Sequence, residues 1–500
     1  MSPAVLYGGV AALLLLGATQ VHGALAWLVS APFVLHSRTS ASWRAACVAT
    51  TSFAVGTALA GNAPWVKATA QQYFGLSPAT AATSVVILAI VSGVSFGILL
   101  GVLQACALRM PPVIAMVALG AAWSVWETLL LSILPHYPWV SLAATQAAFP
   151  MVMQVVSGGG QAGLSFAIAM AGSAFGFALR SGTPPHVAIR FAAVGVAIVG
   201  AVVLTGWVRL GEPSLPDTPC TLAAIDASIP SGTLPLDETL ARYGRLSAEA
   251  VQRRPSVLVW PESAVPASPE TDPDVRRQLE ALVETWGIPL LTGASRIAWS
   301  PSWEPRLFNS VYLIKAGHPL QYGDKRRPVP FAEYWPLPFP RPNWFVAEEV
   351  SPGSRPTVFA IGKCRLGVLI CFEADHPALA RDLVEAGAQA LLILSNDAQL
   401  APRAVDNEVV QARLRAIETG LPVVRVANRG DSVMIDRFGQ IRHHGAGGVL
   451  VTALPAAEPA PAVRWGPRLI GACWCLVVVA VGGALLRRVR GYSQRLPKLS

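Results

Sequence analysis

The stretch Gly367-Val-Leu-Ile-Cys-Phe-Glu373 decides how the second half of this chain folds. Its first four residues form an apolar run that suits a strand buried on both faces of a sheet. The run ends at Cys371, and Glu373 follows two residues later. Because ligands of α/β sheets bind at the carboxyl ends of strands, this position makes Cys371 a candidate nucleophile.

Two stretches upstream carry the groups that a thiol needs in order to react. Val257-Leu-Val-Trp-Pro-Glu-Ser263 ends a second apolar run at Glu262, and Tyr322-Gly-Asp-Lys-Arg-Arg-Pro-Val-Pro-Phe-Ala-Glu333 contains Lys325. A free thiol near neutral pH is mostly protonated, so it needs a neighbouring base or positive charge. We predict that Glu262 accepts the proton, Lys325 stabilises an oxyanion and Cys371 holds an acyl group.

Other polar residues are candidates for supporting roles at the same site. Glu333 and Glu373 could orient the lysine or the leaving group, and Asn396 ends another apolar run, in Ser395-Asn-Asp397. Each candidate also has an ordinary structural explanation: a core cysteine, a turn-capping glutamate or a solvated lysine. The catalytic interpretation of these residues is favoured only if the fold brings them together.

Apolar runs alternate with helical patterns around these stretches, as in a layered α/β domain. Runs such as Ala390-Leu-Leu-Ile-Leu394 suit strands buried on both faces. We predict strands at 221–226, 256–260, 289–293, 309–314, 357–360, 366–371, 390–395, 422–427 and 432–436, and helices at 236–252, 271–286, 376–387 and 404–419.

The rest of the chain has the composition of a membrane protein. Hydrophobic residues make up 53% of the 500 residues and charged residues only 13%, which is typical of the membrane class. A membrane-spanning helix needs about 20 mostly apolar residues. Candidate spans are 4–20, 22–36, 43–61, 80–108, 112–134, 156–180, 187–210 and 465–486, of which the first two could instead form one broken hairpin.

These segments predict a division into five parts. We expect a membrane domain of about seven helices at 1–210, a Pro-rich linker at 211–219 and a catalytic domain at 220–462. A final membrane helix at 463–488 and a basic cytoplasmic tail at 489–500 complete the chain.

Basic residues predict the orientation of the membrane domain. Cytoplasmic loops carry an excess of Lys and Arg, and a cytoplasmic N-terminus places most of the basic residues near the spans on one side. Seven spans then put the catalytic domain outside the cytoplasm. The residues in question are Arg38, Arg44, Arg109, Arg180, Arg190, Arg487, Arg488, Arg490, Arg495 and Lys498.

The loops on the side of the membrane opposite to these basic residues contain aromatic residues, and the predicted span 112–134 contains an acidic residue. Tyr137 and Trp139 are candidates for admitting substrate from the membrane, although an ordinary interfacial aromatic belt explains them equally well. Glu127 is the single acidic residue within the predicted spans. Such a group is either functional or a buried polar contact.

Charge and cysteine content restrict the remaining possibilities. The net charge of +9 could indicate nucleic acid binding. Many of the basic residues, however, lie in short loops next to apolar segments, so we expect no nucleic acid partner. The seven cysteines show no spacing typical of a zinc site, and we expect no metal and no cofactor. Cys220 and Cys364 flank the catalytic domain and could form a disulfide.

The order Glu–Lys–Cys in these contexts resembles the nitrilase, or carbon–nitrogen hydrolase, superfamily. That resemblance implies an α/β/β/α sandwich whose catalytic triad is Glu262, Lys325 and Cys371. The fuller pattern, together with helices before and after the soluble domain, resembles the apolipoprotein N-acyltransferase family. The matching stretches are Trp-Pro-Glu-Ser-Ala (260–264), Lys-x-x-x-Val-Pro-Phe-x-Glu-Tyr (325–334), Cys-Phe-Glu (371–373), Ser-Asn-Asp-Ala (395–398) and Arg-x-Arg-Ala-Ile-Glu (413–418), with Tyr-Pro-Trp (137–139) and Gln146 in the membrane part.

The resemblance implies a two-step acyl transfer at the bacterial inner membrane, with the catalytic domain on the periplasmic side. Cys371 would take an acyl group from a phospholipid as a thioester, and the N-terminal amine of a diacylated apolipoprotein would then accept it. It also implies that Glu333 is an additional essential carboxylate and that Glu373 follows the nucleophile. Tyr334 is a further candidate for a residue where substrate enters from the membrane. We expect a monomer.

The chain departs from the family pattern beside the nucleophile and in several loops. Phe372 stands where the family usually has Tyr, and Gln399-Leu400 replaces Trp-Phe. Further departures are the stretch Ile225-Asp-Ala-Ser-Ile-Pro230, the lack of a Trp in 231–243 and Arg429 in the Asn-x-Gly loop. They would suit a divergent paralogue.

Two other functions fit parts of the pattern. A membrane-tethered amidase would use water as the acceptor, although such an enzyme acting on a soluble substrate has no need of eight helices. A lipoprotein-binding membrane protein with an inactive nitrilase domain is the second alternative, and the intact triad argues against it.

Overall fold

Apolar helices and an α/β sandwich make up the structure of this chain. The computed structural model describes all residues except 1, 40–41, 60–66, 69–70, 72–75, 134–140, 214, 231–233, 337–339, 342–348 and 494–500. The predicted access residues Tyr137 and Trp139 therefore lie outside the described residues.

The first 210 residues are almost entirely helical where they are described. Proline supplies the first residue of most of these helices, where its missing N–H costs no intrahelical bond. The helices are α1 (Pro3–Gln20), α2 (Ala31–Thr39), α3 (Trp43–Thr57), α4 (Pro78–Ala107), α5 (Pro112–Ile133), α6 (Pro150–Met153), α7 (Val156–Leu179) and α8 (Pro185–Leu210), with 3₁₀ turns at Gly23–Leu28 and Ala144–Gln146.

Six helices in the described residues are long and apolar enough to cross a membrane. They are α1, α4, α5, α7, α8 and α13 (Ala462–Ser493), the helix that follows the sandwich. The segment 22–36, predicted as a span, is instead a 3₁₀ turn followed by the nine-residue α2. The break agrees with the alternative of a broken hairpin, and Pro32 stands at the second residue of α2, a position where proline is tolerated.

Between α8 and α13, the described residues form a domain of twelve strands and four helices. The strands are β1 (Asp217–Asp226), β2 (Val257–Val259), β3 (Leu290–Trp299), β4 (Pro305–Ile314), β5 (Gln321–Asp324), β6 (Val358–Ile361), β7 (Cys364–Ile370), β8 (Ala390–Asn396), β9 (Val423–Asn428), β10 (Asp431–Ile435), β11 (Ile441–Ala446) and β12 (Gly448–Pro455). The helices are α9 (Leu236–Val251), α10 (Pro273–Trp286), α11 (Pro377–Glu385) and α12 (Pro402–Thr419), and a 3₁₀ turn covers Cys371–Asp375.

The strands form two six-stranded sheets that pack face to face. One sheet has the order β12-β1-β2-β3-β4-β5 and the other β11-β10-β9-β8-β7-β6. The central pairs β1–β2, β2–β3, β7–β8 and β8–β9 are parallel, which explains why these strands are apolar throughout rather than alternating.

Three apolar layers hold the sandwich together and confirm the predicted α/β/β/α arrangement. The inner layer lies between the sheets and includes Leu222, Val259, Leu392 and Val426. One outer layer packs α9 and α10 on the first sheet, and the other packs α11 and α12 on the second. Cys220 of β1 and Cys364 of β7 form a disulfide that joins the two sheets.

Candidate active site

Loops that follow three strands bring the predicted triad to one edge of the sandwich. Glu262 follows β2, Lys325 follows β5, and Cys371 follows β7 of the opposite sheet. Lys325 is 1% exposed, so its ammonium group lies inside the protein. A buried ammonium group requires nearby negative charge.

Two carboxylates supply that charge. The Lys325 Nζ atom lies 2.9 Å from Glu333 Oε1 and 3.3 Å from Glu262 Oε1. Asn309 of β4 donates from Nδ2 to the same two oxygens, at 2.7 Å to Glu262 and 3.0 Å to Glu333. One cation and one amide thus hold two carboxylates together that would otherwise repel each other.

The second oxygen of each carboxylate is held by the backbone. The Asn396 N–H donates to Glu262 Oε2 at 2.9 Å, and the Val329 N–H donates to Glu333 Oε2 at 2.6 Å. The loop of Glu262 also packs directly on β3, because a Cβ added at Gly293 would lie 2.6 Å from the Glu262 Cα. The carboxylate of Glu262 is therefore fixed in place before any substrate arrives.

Asn396 is positioned in turn by a bridge between the two sheets. Its Oδ1 atom accepts from Asn428 Nδ2 at 3.0 Å. Asn428, at the end of β9, also donates to the Ile229 carbonyl and accepts from the Ile229 N–H. The predicted supporting residue Asn396 thus contacts the triad through its backbone, while its side chain ties the loop to the neighbouring strand.

Cys371 has an unusual backbone conformation. Its φ angle is +55°, a left-handed value that is uncommon for a residue with a side chain and that clusters at functional sites. The thiol is partly exposed, and Cys371 begins the 3₁₀ turn directly after β7. A sharp turn of this kind presents the side chain beyond the end of the strand.

Glu373 stabilises this turn and connects it to the lysine loop. Its carboxylate accepts from the Ile370 N–H at 2.8 Å, from the Arg326 N–H at 2.6 Å and from the Arg327 N–H at 3.2 Å. Burial raises the pKa of Glu373 despite these hydrogen bonds. The glutamate therefore fixes the position of Lys325 relative to Cys371 rather than contacting the thiol.

The surroundings of Cys371 disfavour the thiolate. Burial and the negative charge of Glu262 raise the pKa of Cys371 well above its ordinary value, and the opposing effect of Lys325 is smaller. Burial alone would lower the pKa of Lys325, but Glu333 and Glu262 outweigh it and raise that pKa. The resting site accordingly pairs a neutral thiol with a charged lysine.

The remaining predicted residues occupy different places. Phe372 is fully buried, with its ring edge-on to His376 at 5.2 Å between centroids, so it packs in the core of the domain. Tyr334 is half-buried in the loop after Glu333, and burial raises its pKa. In the same loop, the rings of Phe331 and Trp335 pack edge to face at 5.5 Å. Phe331, Tyr334 and Trp335, which are all partly exposed, form an aromatic surface beside Glu333.

Sequence reasoning missed Asn309 and Asn428. A signal existed for Asn309, because it is an amide within the mostly apolar run Phe308-Asn-Ser-Val-Tyr-Leu-Ile314. An amide inside a buried strand needs partners. Among the residues that the structure describes, no group of three or more His, Cys, Asp or Glu side chains could hold a metal ion.

The α12 helix connects the site to the membrane helices. Arg415 is fully buried and donates to the Ala374 carbonyl at 3.0 Å, within the turn of Cys371, and to Gln161 Oε1 of α7 at 2.9 Å. Its guanidinium also lies 2.9 Å from Glu418. At Gly160, where φ is +70° and α7 breaks, an added Cβ would lie 2.6 Å from Glu418 Oε1.

Glu127 and Gln146 make internal contacts in the membrane domain. Glu127 Oε1 accepts from Trp123 Nε1 and from the Leu142 N–H, both at 2.8 Å. Gln146 donates to the Gly23 carbonyl at 2.9 Å and accepts from Trp27 at 3.2 Å. These contacts fit the prediction of a buried polar contact for Glu127.

Comparisons with known proteins match both parts of the chain. Residues 10–174 match the apolipoprotein N-acyltransferase N-terminal domain family, and residues 221–457 match the carbon–nitrogen hydrolase family. An apolipoprotein N-acyltransferase from Geobacter metallireducens is 32% identical over 330 residues, which cover 61% of this chain and 61% of that protein. One from Allorhizobium ampelinum is 31% identical over 343 residues, covering 65% and 63% respectively.

The match thus spans just over three fifths of the length of these curated relatives. Among solved structures, an amidase from Nesterenkonia sp. is similar over 53% of this chain and 99% of its own, with a TM-score of 0.40 and 19% identity.

Proposed function

Since the chain belongs to the apolipoprotein N-acyltransferase family within the carbon–nitrogen hydrolase superfamily, we propose that it transfers an acyl group from a phospholipid to the N-terminal amine of diacylated apolipoproteins. The observation that carries the proposal is the buried Lys325 between Glu262 and Glu333, at the same edge as the strained Cys371. The multi-pass membrane part gives both lipid substrates a way to reach this edge while their tails stay in the bilayer.

The first step forms a thioester on Cys371. Glu262 accepts the thiol proton as the sulfur attacks the ester carbonyl of the phospholipid, so the charged thiolate need not accumulate. The Lys325 ammonium stabilises the oxyanion of the tetrahedral intermediate. As that intermediate collapses, Glu262 returns the proton to the departing alkoxide and lysophospholipid is released.

The second step transfers the acyl group to an amine. The neutral amine attacks the thioester carbonyl, again with the oxyanion beside Lys325, and Glu262 takes a proton from the attacking nitrogen. Sulfur leaves and Cys371 regains a proton. Water must be kept from the thioester during the interval, and we assign that role to the aromatic loop of Phe331, Tyr334 and Trp335, which follows the lysine loop and includes the partner of Lys325, Glu333.

Fixed charges make this assignment of roles reasonable. Glu262 already receives hydrogen bonds on both oxygens, so its orientation costs nothing when substrate binds. Glu333 neutralises Lys325 together with Glu262 and keeps the lysine aligned. We further propose that the catalytic domain lies on the periplasmic side of the inner membrane, which the Cys220–Cys364 disulfide supports because disulfides persist in oxidising compartments.

The thioester is the testable intermediate. When the purified full chain is incubated with phospholipid, we expect an acyl adduct on the peptide that contains Cys371, detected by mass spectrometry. Cys371→Ala should form none, and Glu262→Gln should form it about 100-fold more slowly or worse, as expected for loss of a general base. Folded protein that forms no adduct would overturn the mechanism.

The acceptor is tested with a diacylated lipopeptide. We expect the preformed adduct to disappear as N-acylated lipopeptide accumulates. Free fatty acid as the main product would instead identify a hydrolase. Binding of the lipopeptide without any turnover would identify an inactive binding protein.

A further inference from the structure

The membrane domain contains a cavity at the end far from the catalytic domain. The α8 helix begins at Pro185 at that end and reaches Leu210 beside the sandwich, a rise of roughly 39 Å for a helix of this length. The cavity has a volume of about 180 Å³, well above the roughly 10–15 Å³ that admits one water molecule. Its lining includes Phe33, His36, Ser37, Gln104, Arg109 and Arg180.

Gln104 at the inner wall is the first sign of a ligand site. Its side chain is 3% exposed and lines the cavity, and it makes no hydrogen bond within the described part of the chain. The amide can donate two hydrogen bonds, so a ligand with hydrogen-bond acceptors inside the cavity would pair with it.

Charge is the second, independent sign. Arg109 and Arg180 both line the cavity. Arg109 Nη1 donates to the Ala105 carbonyl at 2.8 Å, and neither guanidinium forms an ion pair with a residue that the structure describes. The sequence offers them no counter-ion, since Glu127 is the single acid from residue 1 to 210. That acid lies roughly 22 Å along α5 from its start near Arg109 and is held by Trp123 and Leu142.

The position of the cavity indicates which anion it takes. It lies at the ends of helices long and apolar enough to cross a membrane, and it combines two guanidinium groups with an apolar wall that includes Phe33 and Leu108. Such helices would bring their ends to the level of the lipid headgroups. Guanidinium groups pair with phosphate through several parallel hydrogen bonds. We propose that this cavity, formed at the ends of α2, α4 and α7 and the start of α3, binds the phosphate of an anionic phospholipid.

This bound lipid differs from the acyl donor. It sits in the leaflet opposite the catalytic domain, about a full membrane thickness from Cys371. A general attraction of basic loops to anionic membrane surfaces would require neither a cavity nor a buried amide. The lipid therefore acts as a bound structural component that joins α2, α4 and α7, and its loss should leave the chemistry at Cys371 unchanged.

The test compares two variants with the same change in charge. The full chain carrying Cys371→Ala, purified in a neutral detergent, is titrated with phosphatidylglycerol and phosphatidylcholine and examined by native mass spectrometry. We expect one phosphatidylglycerol to be retained, and the Arg109→Gln/Arg180→Gln variant to lose about tenfold or more in affinity. The control Arg44→Gln/Arg190→Gln alters two exposed basic residues near the same membrane face and should change affinity by less than about twofold.

Further arms separate the alternatives. Gln104→Leu should weaken phosphatidylglycerol binding about three- to tenfold. If the Arg109→Gln/Arg180→Gln variant does not fold, the affinity of Gln104→Leu tests the proposed lipid site in its place. Equal losses in both double variants, or no loss in the cavity variants, would overturn the proposal. Inorganic phosphate that binds the cavity while phosphatidylglycerol fails to displace it would show that the site takes free phosphate instead of lipid. Adduct formation by the Arg109→Gln/Arg180→Gln chain with Cys371 intact should equal that of the unsubstituted chain, so the proposed acyl transfer is judged separately.

Discussion

Cys371 combines a strained backbone with surroundings that keep its side chain neutral. The φ angle of +55° aims the thiol beyond β7, while burial and Glu262 raise its pKa. A permanently ionised thiolate would be a better nucleophile but would also react with water-soluble electrophiles. A neutral thiol beside a fixed carboxylate reacts only when a substrate carbonyl is present to receive the sulfur as the proton leaves.

The two charged neighbours of Cys371 should affect its alkylation in opposite directions. Because Glu262 raises the thiol pKa and Lys325 lowers it, Glu262→Gln should lower that pKa and Lys325→Met should raise it. Below the pKa, the alkylation rate follows the thiolate fraction. In the unsubstituted protein, alkylation by iodoacetamide should thus rise only above the ordinary thiol pKa of 9.0.

At pH 8 we expect Glu262→Gln to react about tenfold faster than the unsubstituted protein and Lys325→Met more slowly. The rate is measured on the Cys371 peptide by mass spectrometry, with Cys371→Ala as the blank. Glu262→Gln should gain alkylation while it loses acyl transfer. If both variants change alkylation in the same direction, the electrostatic assignment is wrong.

At this scale the sequence predicted Glu262, Lys325 and Cys371, which the structure brings together, and three of the residues around them, Glu333, Glu373 and Asn396, but not Asn309 or Asn428. Glu262, Lys325 and Cys371 were recognisable because each ends or follows an apolar run in a distinctive local context. Asn309 and Asn428 were not recognisable. Each forms hydrogen bonds with residues that follow another strand or belong to the opposite sheet, and which strands are neighbours depends on the strand order of the fold. The role of Glu373 was predicted only as orienting, whereas two of its three backbone hydrogen bonds, from Arg326 and Arg327, link it to a loop 46 or 47 residues away.

The α12 helix is the element that joins the two parts of the molecule. Leu414 and Ile417 pack within the main apolar cluster of the membrane domain, while Val409, Ala412 and Ala416 pack in the outer layer of the sandwich. The helix therefore has two buried faces. Polar residues on such a helix must be paired, and Arg415 and Glu418 satisfy that requirement.

Removal of Arg415 should destabilise the protein more than removal of a partly exposed neighbour. Arg415→Met leaves the buried Glu418 without its close counter-ion, and breaking a buried pair in this way costs about 3–5 kcal/mol. Arg381→Met is the control, because Arg381 is 20% exposed and lies 3.8 Å from Glu418; we expect about 1 kcal/mol or less. Both losses are measured as changes in the free energy of unfolding of the full chain in detergent.

A second readout concerns the nucleophile turn. Because Arg415 holds the Ala374 carbonyl, Arg415→Met should slow adduct formation on Cys371 even at temperatures at which the variant is folded, whereas Arg381→Met should not. Unchanged stability of the Arg415 variant would contradict the pairing described for α12.

Element boundaries show what apolar patterning can and cannot predict. Strands buried on both faces were placed within a few residues, as for β8 and β9. The strands β5, β11 and β12 were missed. Sheet edges tolerate polar residues, which explains β5 and β11, as in Ile441-Arg-His-His-Gly-Ala446, but β12 is mostly apolar, so this reason does not apply to it. The segment 22–36 was predicted as a span from its apolar content, which does not distinguish a helix from a 3₁₀ turn.

At the scale of the whole molecule, the sandwich and the membrane helices share buried contacts. Gln154 donates to the Phe438 carbonyl at 3.0 Å, and Arg413 donates to the Ala147 carbonyl at 2.9 Å. With apolar packing from α12, these contacts hold the catalytic domain against the membrane helices. In the acyl transfer that we propose, a site fixed in this way would receive a phospholipid and a lipid-anchored peptide in turn without either leaving the bilayer.

The orientation proposed for the molecule predicts where single cysteines can be labelled. Ser302 lies in an exposed turn of the sandwich, and Ser181 lies in the exposed loop between α7 and α8, so the two should face opposite sides of the membrane. Each is replaced by Cys in a chain carrying Cys371→Ala and Cys475→Ala, since the remaining free cysteines, Cys47, Cys106 and Cys473, are buried.

In right-side-out membrane vesicles, an impermeant maleimide should label Ser302→Cys directly and Ser181→Cys only after permeabilisation. The reason is the excess of arginine beside Ser181, which cytoplasmic loops retain and translocated loops avoid. The parent chain without either new cysteine gives the background. The reverse pattern would place the catalytic domain in the reducing cytoplasm, where the Cys220–Cys364 disulfide would not persist and a periplasmic acceptor could not reach Cys371.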